Sequence, residues 1–356
     1  MRLKSRALRA ALKMSYHLRT PNLCDQLRGT RATILMYHGV PSRQEFDAVV
    51  NHYGYNVPRA EFGRHLDYLQ RRCNVISLRD LLAERGLSRR KTNVVITFDD
   101  GYENNCTNAF EELSRRGLPA VFALPTAFAP GREPLYNDVV EYGIHASRRD
   151  AVSFQWEGQS LDFSLADFSG RLSLYNWLMH HCVQIDQARR QTLIETAMQA
   201  LETTITAEDL FKNEDYRPMT AEQISRMAES ELVEFASHSV NHYLLAKASS
   251  EQKRLELEQS KREIEELTGA PCNAFCVPGG SYDDEMIELA FAAGYDCVLT
   301  SDQGAARRGD RVINRNGIFH KDVYWFADIV HGPVYQLLGV GRRLRNGLRQ
   351  RTVEKV

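Results

Sequence analysis

An α/β fold on a largely parallel sheet, open or closed into a barrel and carrying a helical insertion, is what this 356-residue chain predicts. Three observations lead there. Short β-branched, apolar runs recur along the chain, and helix-forming segments separate several of them. One long stretch, about 130–218, breaks that rhythm with helical patterns of its own.

In chain order, Thr33–Tyr37 reads as the first strand. Glu61–Arg72 and Leu78–Arg85 read as helices ahead of the second strand, Val94–Phe98. Asn105–Arg116 reads as a helix that stops at Gly117-Leu118-Pro119, just before the strand Ala120–Leu124. Within the insertion, Leu172–Val183 and Ala188–Thr203 have amphipathic helical character. Leu232–Ala236 resumes the strands, and Glu251–Thr268, with Glu and Lys at i,i+4 spacing, is a helix ended by Gly269-Ala270-Pro271. Ala274–Val277, the helix Asp284–Ala293 closed by Gly294, and Cys297–Thr300 complete the pattern. An insertion after a strand's C-terminal end lies beside the active site of such folds, so this one is expected to shape a substrate groove.

Composition is that of an ordinary soluble globular protein, with 43% apolar and 26% charged residues. A net charge of −1 carries no overall nucleic-acid footprint. No run reaches the roughly 18 apolar residues of a membrane span, and the basic first residues lack the apolar core of a secretory signal. The seven cysteines form no Cys-x-x-Cys pair and read as free thiols in a reducing compartment. The expected location is the cytoplasm.

Chemistry concentrates at strand ends. Val94–Phe98 runs into Asp99-Asp100-Gly101-Tyr102, where a turning backbone can bring both carboxylates into one pocket. Such crowding is costly unless a cation or shared proton offsets it; the plainer reading is a turn in which one Asp caps a helix. After Leu232–Ala236 comes Ser237-His238-Ser239-Val240-Asn241-His242, whose two histidines, four apart, are expected on one helical face. Parallel folds set strand C-terminal ends on a shared rim. One Asp and two His there make a facial metal site with open positions, leaving the other Asp as a base. His38, ending the first strand, is either structural or a general acid on that rim. Pro278-Gly279-Gly280-Ser281-Tyr282 is either a plain loop or a groove wall whose backbone approaches the substrate.

Thr97–Tyr102 and His238–His242 resemble the first two motifs of the polysaccharide deacetylases, the NodB-homology domain of carbohydrate esterase family 4. Met36-Tyr37-His38-Gly39-Val40 further resembles the circularly permuted poly-N-acetylglucosamine deacetylase branch. The resemblance covers roughly residues 30–320. It implies a distorted (β/α) barrel with fewer than eight complete units. It also implies metal ligation by Asp100, His238 and His242, with Asp99 as general base and His38 as acid. The Tyr102 backbone amide would help steady the oxyanion. The expected cofactor is one divalent ion, Zn²⁺ first, with Co²⁺, Ni²⁺ or Mn²⁺ as alternatives. The substrate would be an N-acetylated, or alternatively O-acetylated, sugar of a polysaccharide or glycolipid. A non-catalytic carbohydrate-binding module and a metal hydrolase of a non-sugar amide are the rival functions.

The third motif departs from the family pattern. An arginine two residues before Pro278 and an aromatic after it are replaced by Cys276 and Gly279. Arg315, in Val312-Ile313-Asn314-Arg315-Asn316, is the candidate to orient Asp99 from a neighbouring strand. His320 and His331 compete with His38 for the acid role. Pro278, Gly279 and Tyr282 are expected to line the substrate groove.

The chain therefore divides into a basic N-terminal helix (1–29), the deacetylase-like domain (30–334) with its cap at about 130–218, and a basic tail (335–356). Both ends mix arginines with leucines. They either dock on the barrel or contact an anionic membrane peripherally at the cytoplasmic face. Flotation with anionic vesicles separates the two, since no binding ends the membrane reading.

Overall fold

The structure, a computed structural model, describes residues 13, 32–44, 51, 53–319 and 322–331. The basic N-terminal helix, the basic tail and His320 fall outside those residues, Lys13 excepted. Among the described residues no helix is long and apolar enough to cross a membrane.

The strands are β1 (Ala32–Tyr37), β2 (Asn74–Val75), β3 (Asn93–Phe98), β4 (Ala120–Leu124), β5 (Ala151–Trp156), β6 (Gln159–Ser164), β7 (Val233–Ser237), β8 (Ala274–Cys276), β9 (Cys297–Leu299), β10 (Val312–Ile313) and β11 (Asn316–Gly317). The main sheet runs β10-β9-β8-β7-β4-β3-β1-β11, with β2 also on β3. Every pairing within it is parallel. β10 and β11 are the two ends of that order, yet only Asn314 and Arg315 separate them in the chain. Three peptide units span at most about 11 Å, so the sheet must curl until its edges nearly meet. The result is the distorted (β/α) barrel, its seam bridged by Asn314-Arg315.

Alternation sets the two sides of each strand. Val94, Ile96 and Phe98 pack outward against the helices, whereas Val95 faces an interior filled by small residues such as Ala123, Ala236, Ala274 and Cys276. The six described cysteines are all buried.

Two helices differ from expectation. The segment after β3 begins as a π-helix, Asn105–Phe110, before one α-turn, Glu111–Ser114. The helix at Leu78 ends at Leu82, because Glu84 and Gly86 both adopt positive φ. The insertion has a hydrophobic core of its own, with Ile144, Phe154, Leu174, Leu178 and Leu193 buried together. Helices Tyr136–Ala146, Phe168–Cys182 and Gln187–Ala200 supply most of it. It is not wholly helical: β5 and β6 form an antiparallel hairpin turned by Glu157 (φ 50°) and Gly158 (φ 77°). Those two left-handed residues suit the twist of a two-residue hairpin loop.

Candidate active site

β3 ends at Phe98, and the Asp99 amide still donates to the Tyr37 carbonyl at 2.9 Å. Asp100 (φ 74°) and Gly101 (φ 73°) then adopt the left-handed conformation in succession. This breaks strand alternation and lets both buried carboxylates face one cavity. A side chain at position 101 would also collide with Leu124, 2.9 Å from the site of a Cβ.

β7 delivers the histidines. The His238 amide donates to Leu124 O, and the Thr126 and Ala127 amides donate to the carbonyls of Ser239 and Val240. Those carbonyls are committed to the neighbouring segment, so residues 238–242 form a loop and not the expected helical turn. Ser239 (φ 65°) and His242 (φ 52°) bend it until both imidazoles meet Asp100. Nε2 of His238 lies 3.6 Å, and Nε2 of His242 3.5 Å, from Asp100 Oδ1. Direct hydrogen bonds would be about 2.7–3.2 Å. Donors bound at about 2.0–2.2 Å to one tetrahedral ion lie about 3.3–3.6 Å apart. The spacing therefore fits a shared divalent ion. His238 Nδ1 sits 2.8 Å from the Cys276 carbonyl. A carbonyl only accepts, so Nδ1 carries a hydrogen and Nε2 is left to ligate.

The charges agree with a cation site. Burial disfavours a charged His238, but Asp99 and then Asp100 override it and raise its pKa. Burial pushes His242 down to about 4, and His238 adds to the shift. Burial would raise the Asp100 carboxyl, yet the histidines around it, led by the His238 contact, hold it well below the usual carboxylate range.

Arg315 holds Asp99 with a two-pronged clamp. Nη1 donates to Asp99 Oδ1 at 2.6 Å and Nη2 to Oδ2 at 2.8 Å. Nε donates to the Thr300 carbonyl at 3.0 Å, fixing the guanidinium from behind. Both side chains are buried. Burial alone would raise the Asp99 carboxyl; Arg315, then His238, reverses this and lowers it. Asp99 Oδ2 is also farther from His238 Nε2, at 3.9 Å, than Asp100 is.

Other expected residues scatter in their placement. His38 lines the cavity, its ring edge-on to Tyr55 at 5.2 Å. Its loop is held by three asparagines that sequence reasoning missed. Asn105 Nδ2 donates to the His38 carbonyl, the Val40 amide donates to Asn104 Oδ1, and Asn108 Nδ2 donates to the Val40 carbonyl. The π-helical start aims these side chains at that loop, and three helix-poor asparagines so close together were its only signal. Gly279 lines the cavity as expected, and Gly280 beside it, whereas Pro278 and Tyr282 are not among the lining residues. Tyr282 instead donates to Asp302. His331 is buried against Thr92 and Cys73, beyond the N-terminal end of β3. A six-residue strand at about 3.3 Å per residue separates it from Asp99, which removes it as a proton donor there.

The cap reaches the same cavity, of about 500 Å³. The Tyr102 hydroxyl donates to both oxygens of Asp138, at 3.0 and 3.1 Å, tying the aspartate motif to the insertion. The bridge between Tyr102 and Pro218 uses the Gly101 carbonyl and the Glu103 amide, leaving the Tyr102 amide outside it. Glu141 accepts from the Tyr216 hydroxyl at 3.0 Å and the Asn51 amide at 3.1 Å. Burial pushes its carboxyl from 4.5 up to about 7. The native state thus keeps a proton that the unfolded chain has lost, so this group makes stability fall as pH rises between 4.5 and about 7. Glu141→Gln is expected to flatten that fall, read as urea midpoints at pH 5 and pH 8; an unchanged slope contradicts it.

The family profile described as polysaccharide deacetylase matches residues 183–298, which contain His238, His242 and β8. This segment is similar to the polysaccharide deacetylase family. The Asp99-Asp100 pair lies ahead of the matched segment, across the cap. YxkH of Bacillus subtilis (strain 168), named for the same family, is 28% identical over 90 residues, 25% of this chain and 32% of that protein. The match thus spans about a third of that curated relative. A polysaccharide deacetylase from Bacillus cereus superposes with a TM-score of 0.51 at 18% identity, covering 85% of this chain and 69% of that one. IcaB from Ammonifex degensii gives 0.51 at 19% identity, covering 84% and 97%. These two likenesses are of fold.

Proposed function

We propose that this chain is a metal-dependent hydrolase that removes acetyl groups from an N-acetylated saccharide, and that it belongs with the permuted poly-N-acetylglucosamine branch. One observation carries the proposal: Asp100, His238 and His242 converge at 3.5–3.6 Å beside an Asp99 that Arg315 clamps. Asp100, His238 and His242 would hold one divalent ion, Zn²⁺ first among candidates. That ion supplies Lewis-acid polarisation of the acyl carbonyl and a lowered water pKa.

The chain's own residues do the rest. Asp99, held ionised by Arg315, takes a proton from the attacking water. The Tyr102 amide donates to the carbonyl oxygen as it gains charge. His38 gives a proton to the departing nitrogen, so the C–N bond breaks to release acetate and a free amine. No lysine or arginine lines the cavity among the described residues, while Asp138, Glu141, Asp215 and Asp302 do. Burial pushes Glu141 and Asp138 towards their neutral forms and Asp215 is paired with Arg43, so the wall offers little net charge and no cation to hold a carboxylate, which suits a neutral saccharide over a uronate-rich one.

Acetate release from a neutral N-acetylated oligosaccharide is the test. The metal-loaded protein is expected to release acetate, to stop when the ion is chelated, and to be slower on a uronate-bearing chain. Acetate release from simple N-acetyl amides, or ring opening of cyclic imides, with no acetate from sugars, contradicts the sugar assignment.

A further inference from the structure

His238 and His242 are braced differently. His238 is fixed by its own Nδ1–H on the Cys276 carbonyl. His242 Nδ1 is buried and finds no hydrogen-bond partner among the described residues. Its ring direction therefore depends on the backbone of the 238–242 loop, which holds two non-glycine residues at positive φ. Such conformations are strained and persist only where the surroundings impose them.

Glu256 imposes this one. It projects from the helix Ser250–Thr268 and is fully buried. Its Oε2 accepts from the Val240 amide at 2.8 Å and the Asn241 amide at 2.9 Å; its Oε1 accepts from Asn241 Nδ2 at 2.7 Å and Gln252 Nε2 at 3.2 Å. The neighbouring Lys253 is spent on Asp283 and Glu285. A buried carboxylate is costly unless its oxygens are satisfied, and here loop and helix N–H groups satisfy both of them. The two bonded amides lie between the histidines, so Glu256 sets the turn that brings His242 round to Asp100.

We infer that Glu256 is a positioning residue for the metal ligands, acting through the Val240 and Asn241 amides to aim His242. The inference rests on the metal-site reading above and names a residue that touches neither ion nor substrate. In Glu256→Ala the loop loses three acceptor contacts, and Zn²⁺ affinity, measured by chelator competition well below the melting temperature, is expected to fall about 10–100-fold. Glu256→Gln keeps an acceptor for the two amides and is expected to recover part of the loss. Equal Zn²⁺ affinity in wild type and both variants overturns the inference, even if melting temperature falls, because a merely structural role lowers only the latter. If wild type binds no Zn²⁺, the metal reading fails and hydrogen exchange decides on Glu256. In the metal-free protein, the Val240 and Asn241 amides are expected to exchange at least tenfold faster in Glu256→Ala and less so in Glu256→Gln, with β4 amides unchanged. Unchanged exchange at those two amides overturns the positioning role.

Discussion

Arg315→Met is expected to lower stability by about 3–5 kcal/mol, because it leaves a buried carboxylate without its counter-charge. Asp99 is 2% exposed and Arg315 is fully buried, so water cannot replace the lost pair. The pH dependence gives a second readout. In the wild type the folded Asp99 carboxyl is lowered. Its stabilisation is therefore present above the ordinary carboxylate value and lost as pH falls through the lower folded value. Without Arg315, burial raises that carboxyl instead, and stability falls as pH rises above about 4. The loss of denaturant midpoint caused by Arg315→Met should therefore be larger at pH 7 than at pH 4, a difference in which the titration of other groups cancels. Adding Asp99→Asn to Arg315→Met is expected to recover stability, since the stranded charge is gone. A coupling energy below about 0.5 kcal/mol in this double-mutant cycle means the two groups act independently.

Asp99→Asn is expected to reduce turnover about 10²–10⁴-fold, the usual contribution of a positioned base. The amide keeps the size of the carboxyl but cannot take a proton from water. Asp99 Oδ2 is farther from His238 Nε2 than Asp100 Oδ1 is, at 3.9 against 3.6 Å. Metal affinity should accordingly change only a few-fold. Losing the bond to Arg315 also destabilises the chain, so rates belong at a temperature where near-ultraviolet circular dichroism shows it folded. A fall in kcat with KM held matches the role of base. Loss of bound metal in step with activity would instead make Asp99 a ligand.

The barrel was legible because its strands are short β-branched runs punctuated by Gly and Pro, and the strand at Ala120–Leu124 has the same bounds in sequence and structure. The aspartate pair and the two histidines could be found because each follows such a run. Their loop geometry could not. The His-x-x-x-His spacing suggested a helical face, yet Ser239 and His242 reach convergence through left-handed backbone held by neighbours distant in sequence. Arg315 was visible only as a candidate, since its reach to Asp99 depends on the curling that brings the β10 and β11 edges near each other, a property of the whole sheet. Asn104, Asn105, Asn108 and Glu256 act on backbone groups far along the chain, which leaves almost no local pattern. The hairpin at 151–164 was missed inside a helical stretch because most of β6 is exposed and lacks a buried stripe.

A crystal grown with Zn²⁺ and measured at the zinc edge tests the proposed centre most directly. One ion is expected, about 2.0–2.2 Å from an Asp100 oxygen and from Nε2 of His238 and His242, with Asp99 still clamped by Arg315 and outside the coordination shell. Zinc bound through Asp99, or zinc elsewhere with Asp100 hydrogen-bonded directly to both imidazoles, would contradict the account.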